Sequence, residues 1–203
     1  MCLGANACLP TQPTRHLLHF AEEAPAEGSF APDVAVRDLD GAERRLSEWI
    51  GERPVVLQLG SYSCPLFRQR RHWMNRMAEG WSDRVQFLVV YTQEAHPIDA
   101  ASPWTPEVWD PWVNGWSGVR MTKAVSWQER RDAAERAQSE LDLAMPVLLD
   151  RMTDDAWRQY GRAPSPAFVI DRNGRITLRQ VWVNPGPIHD ELRRLVAEPS
   201  EAP

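Results

Sequence analysis

Residues 54–74 read PVVLQLGSYSCPLFRQRRHWM, and the change of pattern inside this stretch decides the fold. Pro54 to Gly60 is a short, nearly unbroken apolar run, as expected of a strand buried on both faces. Beyond Ser61-Tyr62-Ser63-Cys64, Pro65 suits a first helical turn, where its missing N–H has no partner to lose. Leu66, Phe67, Trp73, Met74, Met77 and Trp81 then recur at helical spacing and give one apolar stripe. A buried strand therefore runs into a helix, with Cys64 at the junction.

Further along, Val85 to Tyr91 and Met145 to Leu149 are two more buried strands. Between them, Ser126-Trp127-Gln128-Glu129 is a capping box that opens a second long helix. Thr153 to Tyr160 reads as a short helix ending at Gly161. Ala167–Ile170, the Asp171–Gly174 turn and Ile176–Trp182 read as a hairpin, and Ile188, Leu192, Leu195 and Val196 mark a last helix. Upstream, Val34 to Leu39 is a short strand stopped by Asp40-Gly41. The order β, β, α, β, loop, α, β, α, β, β, α is α/β and thioredoxin-like, with an added strand in front. Residues 1–30 read as an arm that wraps loosely or is partly disordered, 31–198 as the domain and 199–203 as a tail. Residues 95–125 read as a Trp-rich insertion loop with one helical turn. Trp104, Trp109, Trp112 and Trp116 fall in it, which suits a lid over an aromatic substrate, core packing or a homodimer contact. The fold also leads us to expect a cis-proline at Pro164 or Pro166.

The net charge of −5 gives no general attraction to nucleic acid or an anionic membrane. No apolar run reaches the roughly 18–20 residues that span a bilayer, and Met1 to Pro10 lacks the pattern of a signal peptide, so a cytoplasmic location is expected. Three cysteines are too few and odd for a disulfide framework, there is no CxxC, and no Cys/His spacing suggests a metal site.

The chemistry centres on Cys64. A cysteine before a helix has amide N–H groups aimed at its sulfur, which favours the nucleophilic thiolate. Arg68 lies one turn on, with Arg70, Arg71 and His72 beyond. Phe67 stands where a second active cysteine would be, so oxidised Cys64 needs another thiol. That thiol is Cys2, Cys8 or an external one such as glutathione or thioredoxin. Tyr91-x-x-Glu94-x-His96 follows the neighbouring strand and emerges at the same carboxyl edge. There Glu94 can orient or charge His96, and His96 can move a proton near pH 7.

Gly60-Ser61-Tyr62-Ser63-Cys64-Pro65 and the string from Tyr91 through Glu94-Ala95-His96-Pro97 to Asp99 together resemble the iodothyronine deiodinases. That family carries Gly-Ser-x-x-selenocysteine-Pro followed by Tyr-x-x-Glu-Ala-His-Pro-x-Asp. The resemblance runs from about Pro54 to Glu198. It implies a thioredoxin fold and reductive removal of halogen from an aromatic ring or similar electrophile, with an external thiol as reductant and no bound cofactor. It puts Cys64 where selenocysteine stands and Ser61, Tyr91, Glu94 and His96 around it. The layout is also similar to the peroxiredoxin-like superfamily. A second reading is thus a one-cysteine thiol peroxidase, and a third is a non-catalytic redox sensor or binding module that uses the Trp-rich surface.

Overall fold

The computed structural model describes residues 19–197. Among them the strands are β1 (Ala35–Asp38), β2 (Glu43–Arg45), β3 (Val55–Gly60), β4 (Gln86–Tyr91), β5 (Val147–Asp150), β6 (Ala167–Ile170) and β7 (Ile176–Gln180). They form one sheet in the order β2-β1-β5-β4-β3-β6-β7. The helices are α1 (Pro65–Trp81), α2 (Trp112–Trp116), α3 (Trp127–Leu141), α4 (Asp155–Gln159) and α5 (Pro185–Ala197). The expected α/β thioredoxin-like arrangement is present.

β3 pairs in parallel with β4, and β4 with β5, at the centre of the sheet. Both faces are covered, so the alternation of each central strand splits between two cores. Val56 and, on β4, Phe87, Val89 and Tyr91 join α1, α3 and α5 on one side. Val55, Leu57 and Leu59, with Leu88 and Val90, pack on the other. This is why both strands read as continuous apolar runs.

The β3–β4 register sets Gly60 opposite Tyr91, so the chain leaves both strands side by side. Gly60 also lets α1 come close. A Cβ there would lie 2.4 Å from the Phe67 ring.

Several details differ from the sequence reading. β2 and a 3₁₀ turn at Leu46–Trp49 were not expected, because the three residues of β2 are exposed and carry no apolar pattern. Gly41, at φ 92°, makes the turn that folds β2 back on β1. The last part of the arm is not loose. Residues 19–23 are helical, Phe20 and Ala24 are buried in the second core, and the Gly28 amide donates to the Ile176 carbonyl at 2.7 Å. Residues 1–18, with Cys2 and Cys8, and residues 198–203 lie outside the described residues.

No cis peptide bond occurs among the described residues, so the cis-proline expected at Pro164 or Pro166 is corrected to trans. The extended chain satisfies its backbone there. The Pro166 carbonyl accepts from Leu59 N–H at 3.0 Å, and the Ser165 carbonyl from Val183 N–H at 2.9 Å. No described helix is long and apolar enough to cross a membrane.

Candidate active site

Cys64 is the N-cap of α1, with extended backbone (φ −76°, ψ 114°) and Pro65 in the first turn, as the sequence implied. Its side chain is only 2% exposed. Burial pushes the thiol up to about 11, while the amides of Phe67 and Leu66 and the Arg68 cation pull down and Glu94 pushes up. The helix terminus thus acts in the expected direction but is outweighed by loss of water around the sulfur.

Beside Cys64 lies the Tyr91–His96 loop, fastened to it by reciprocal bonds. Glu94 Oε2 accepts from Ser63 N–H at 2.9 Å, and Oε1 accepts from the Tyr91 hydroxyl. The Tyr91 oxygen in turn accepts from Tyr62 N–H at 3.1 Å. The Ser61 hydroxyl oxygen accepts from Ala95 N–H at 3.0 Å, and that of Ser63 from His96 N–H at 2.9 Å. Each hydroxyl or carboxylate of one loop satisfies an amide of the other, as buried amides require. Glu94 is buried, and burial raises its carboxyl above the usual range against the pull of these hydrogen bonds.

His96 was expected to take its orientation from Glu94. Instead the structure gives that role to the insertion. Nδ1 lies 3.0 Å from the Trp109 carbonyl, which can only accept, so Nδ1 carries the proton. The Trp109 ring meets the imidazole edge-on at 4.6 Å. Burial pulls His96 down to about 4, so it is neutral near pH 7 and Nε2 bears the lone pair.

The insertion also reaches the cysteine loop and Arg68. Asn114, fully buried at the centre of α2, donates from Nδ2 to the Ser63 carbonyl at 2.9 Å. Its Oδ1 accepts from the Arg68 guanidinium at 2.7 Å, and Arg68 also donates to the Tyr62 carbonyl at 2.7 Å. Arg70 and His72 face solvent. Trp112 and Trp116 are 81% and 85% exposed, while Trp104 packs near Trp157 and donates to the Arg162 carbonyl. Sequence reasoning missed Ser63, Asn114 and the Trp109 carbonyl. Ser63 could have been found from its place beside Cys64. The other two carry no local signal.

Comparison with known proteins bears on what this site belongs to. The model of the iodothyronine deiodinase family matches residues 14–197. A type I iodothyronine deiodinase from Xenopus laevis is 29% identical over 150 residues, covering 73% of this chain and 54% of that protein. A thyroxine 5-deiodinase from Gallus gallus is 31% identical over 145 residues, covering 70% and 52%. The chain thus spans about half the length of the curated relatives it matches. Among solved structures, a thiol:disulfide interchange protein from Bacteroides sp. aligns with TM-score 0.61 at 14% identity, covering 87% of this chain and 93% of that one. A peroxiredoxin-like protein from Aquifex aeolicus aligns with TM-score 0.57 at 15% identity, covering 85% and 89%. At such identities the structural likeness speaks for the fold alone.

Proposed function

The chain belongs to the iodothyronine deiodinase family, and from that premise we propose that it is a thiol-dependent oxidoreductase that removes halogen reductively from an aromatic ring or similar electrophile through Cys64. The Cys64 sulfur attacks the halogen. The carbon–halogen bond breaks as a sulfur–halogen bond forms, and the ring carbon takes a proton. An external thiol then displaces halide and leaves a mixed disulfide on Cys64. A second thiol frees Cys64 and departs as the external disulfide. A reducing cytoplasm would supply such thiols.

His96 is the group that moves the proton in this reading. With the thiol up at about 11 and the imidazole down at about 4, a lasting transfer is unfavourable, so the neutral Nε2 relays the Cys64 proton to the ring carbon only as the carbon–halogen bond breaks. Ser61, Tyr91 and Glu94 hold the two loops in register. The observation that carries the proposal is this lacing of the Tyr91–His96 string onto the cysteine loop. It gives the residues of the family motif one shared location.

The test is iodide release from an iodinated phenol with dithiothreitol as reductant, against Cys64→Ala. Turnover in the native chain, abolished by Cys64→Ala, is the expected result. Turnover of hydrogen peroxide without iodide release would favour the thiol peroxidase instead. Stoichiometric oxidation with no turnover of either would favour the sensor.

A further inference from the structure

Arg68 is 9% exposed, yet among the described residues its hydrogen bonds go to neutral oxygens: the Tyr62 carbonyl, Asn114 Oδ1 and, at 3.4 Å, the Ser117 hydroxyl. The other strongly buried arginine, Arg130 at 2%, pairs with Asp154 at 2.8 Å. A buried charge is retained at a cost of several kcal/mol unless an opposite charge compensates it. Arg68 sits one turn along α1 from the Cys64 N-cap. We propose that Arg68 is the counter-cation of the Cys64 thiolate, and that Asn114 of the insertion holds it in place. The inference rests on the reading of Cys64 as the nucleophile.

The charged and titratable neighbours support this assignment. Glu94, on the loop after β4, uses both carboxylate oxygens on Ser63 N–H and the Tyr91 hydroxyl. Tyr62, whose ring lies 5.8 Å from the guanidinium, engages Glu140, and Glu140 is also paired with Arg136. Arg71 donates to the Arg68 carbonyl at 3.0 Å, and its like charge acts against the Arg68 cation. His96 is neutral and bound to the Trp109 carbonyl, with Asp110 beside it. Burial works against the Arg68 cation, and the groups that favour it are Cys64 first, then Tyr62 and Glu94, so the Cys64 sulfur, once deprotonated, is its leading partner. It is also the group on which Arg68 acts in opposition to burial.

Arg68 and Asn114 also fasten the insertion over the site, and the experiment must separate that role from the charge. Asn114→Ala undoes the clasp and keeps the cation, whereas Asn114→Ala with Arg68→Met undoes the clasp and removes it. The rate of Cys64 modification by the uncharged reagent iodoacetamide near neutral pH is followed by mass spectrometry of the Cys64 peptide. The double variant is expected to react about tenfold or more slowly than the single one, because an adjacent opposite charge lowers a pKa by about 1–3 units. Arg68→Lys in the same background restores most of the rate. Equal or faster labelling of the double variant, or no rescue by lysine, overturns the proposal. If Arg68→Met does not fold, Asn114→Asp sets a carboxylate against the cation. Labelling as fast as Asn114→Ala then overturns it equally. No substrate is needed, so failure of the dehalogenation reading is a separate result.

Discussion

At the scale of single residues, the site depends on which groups are left uncharged by burial. His96 is held near a pKa of about 4 when folded, against about 6.5 for a free imidazole. The unfolded chain therefore binds a proton that the folded chain refuses as pH falls from about 6.5 to 4. Stability contributed by neutral His96 is complete above this window and is lost on acidification, by about 3 kcal/mol at pH 4. Asp150, pushed up to about 6 by burial, moves in the opposite direction through an overlapping window. The readout is therefore the difference between the native chain and His96→Gln in urea unfolding. That difference should shift against the native chain as pH is lowered. A difference independent of pH would mean that His96 titrates as it does in water.

At the scale of elements, two contacts decide whether the site assembles. β3 and α1 meet at Gly60, where a Cβ would lie 2.4 Å from the Phe67 ring. Gly60→Ala should cost about 1–3 kcal/mol, the range for an overpacked core, and Phe67→Leu in the same chain should recover part of it. Equal stability of Gly60→Ala and the native chain in denaturant titration would show that α1 can shift freely. Trp112 and Trp116 of α2 are mostly in solvent. Replacing either with alanine should change stability by no more than about 0.5 kcal/mol. These elements also show what the sequence made legible. β3, α1, β4, α3 and the hairpin were readable because burial on one or both faces leaves a periodic signature in the chain. β2 was not, because three exposed residues paired at a sheet edge need only backbone hydrogen bonds. Nor was the tie between Trp109 and His96, since a carbonyl oxygen is the same in every residue. Asn114 stood among tryptophans read as a lid, core packing or a dimer contact, while two of those tryptophans point to solvent.

At the scale of the whole molecule, residues 19–30 close the second core. The Phe20 ring packs tilted against Phe168 at 5.9 Å between centroids, and Phe30 forms a β-bridge with Arg175. A chain starting at residue 31 should lose about 3–5 kcal/mol, the cost of removing a buried aromatic, in urea unfolding, while one starting at residue 19 keeps this packing. Equal stability of the two would show that residues 19–30 add nothing to the core. The central claim, that the Cys64 sulfur itself takes the halogen, is tested most directly by a single turnover. The reduced chain, freed of added thiol, is mixed with an iodinated phenol. The reaction is then quenched with glutathione and the peptides are read by mass spectrometry. The account predicts one equivalent of deiodinated phenol per chain and a glutathione mixed disulfide on Cys64, with neither formed by Cys64→Ala. Deiodinated product with Cys64 unmodified, or from Cys64→Ala, would contradict it.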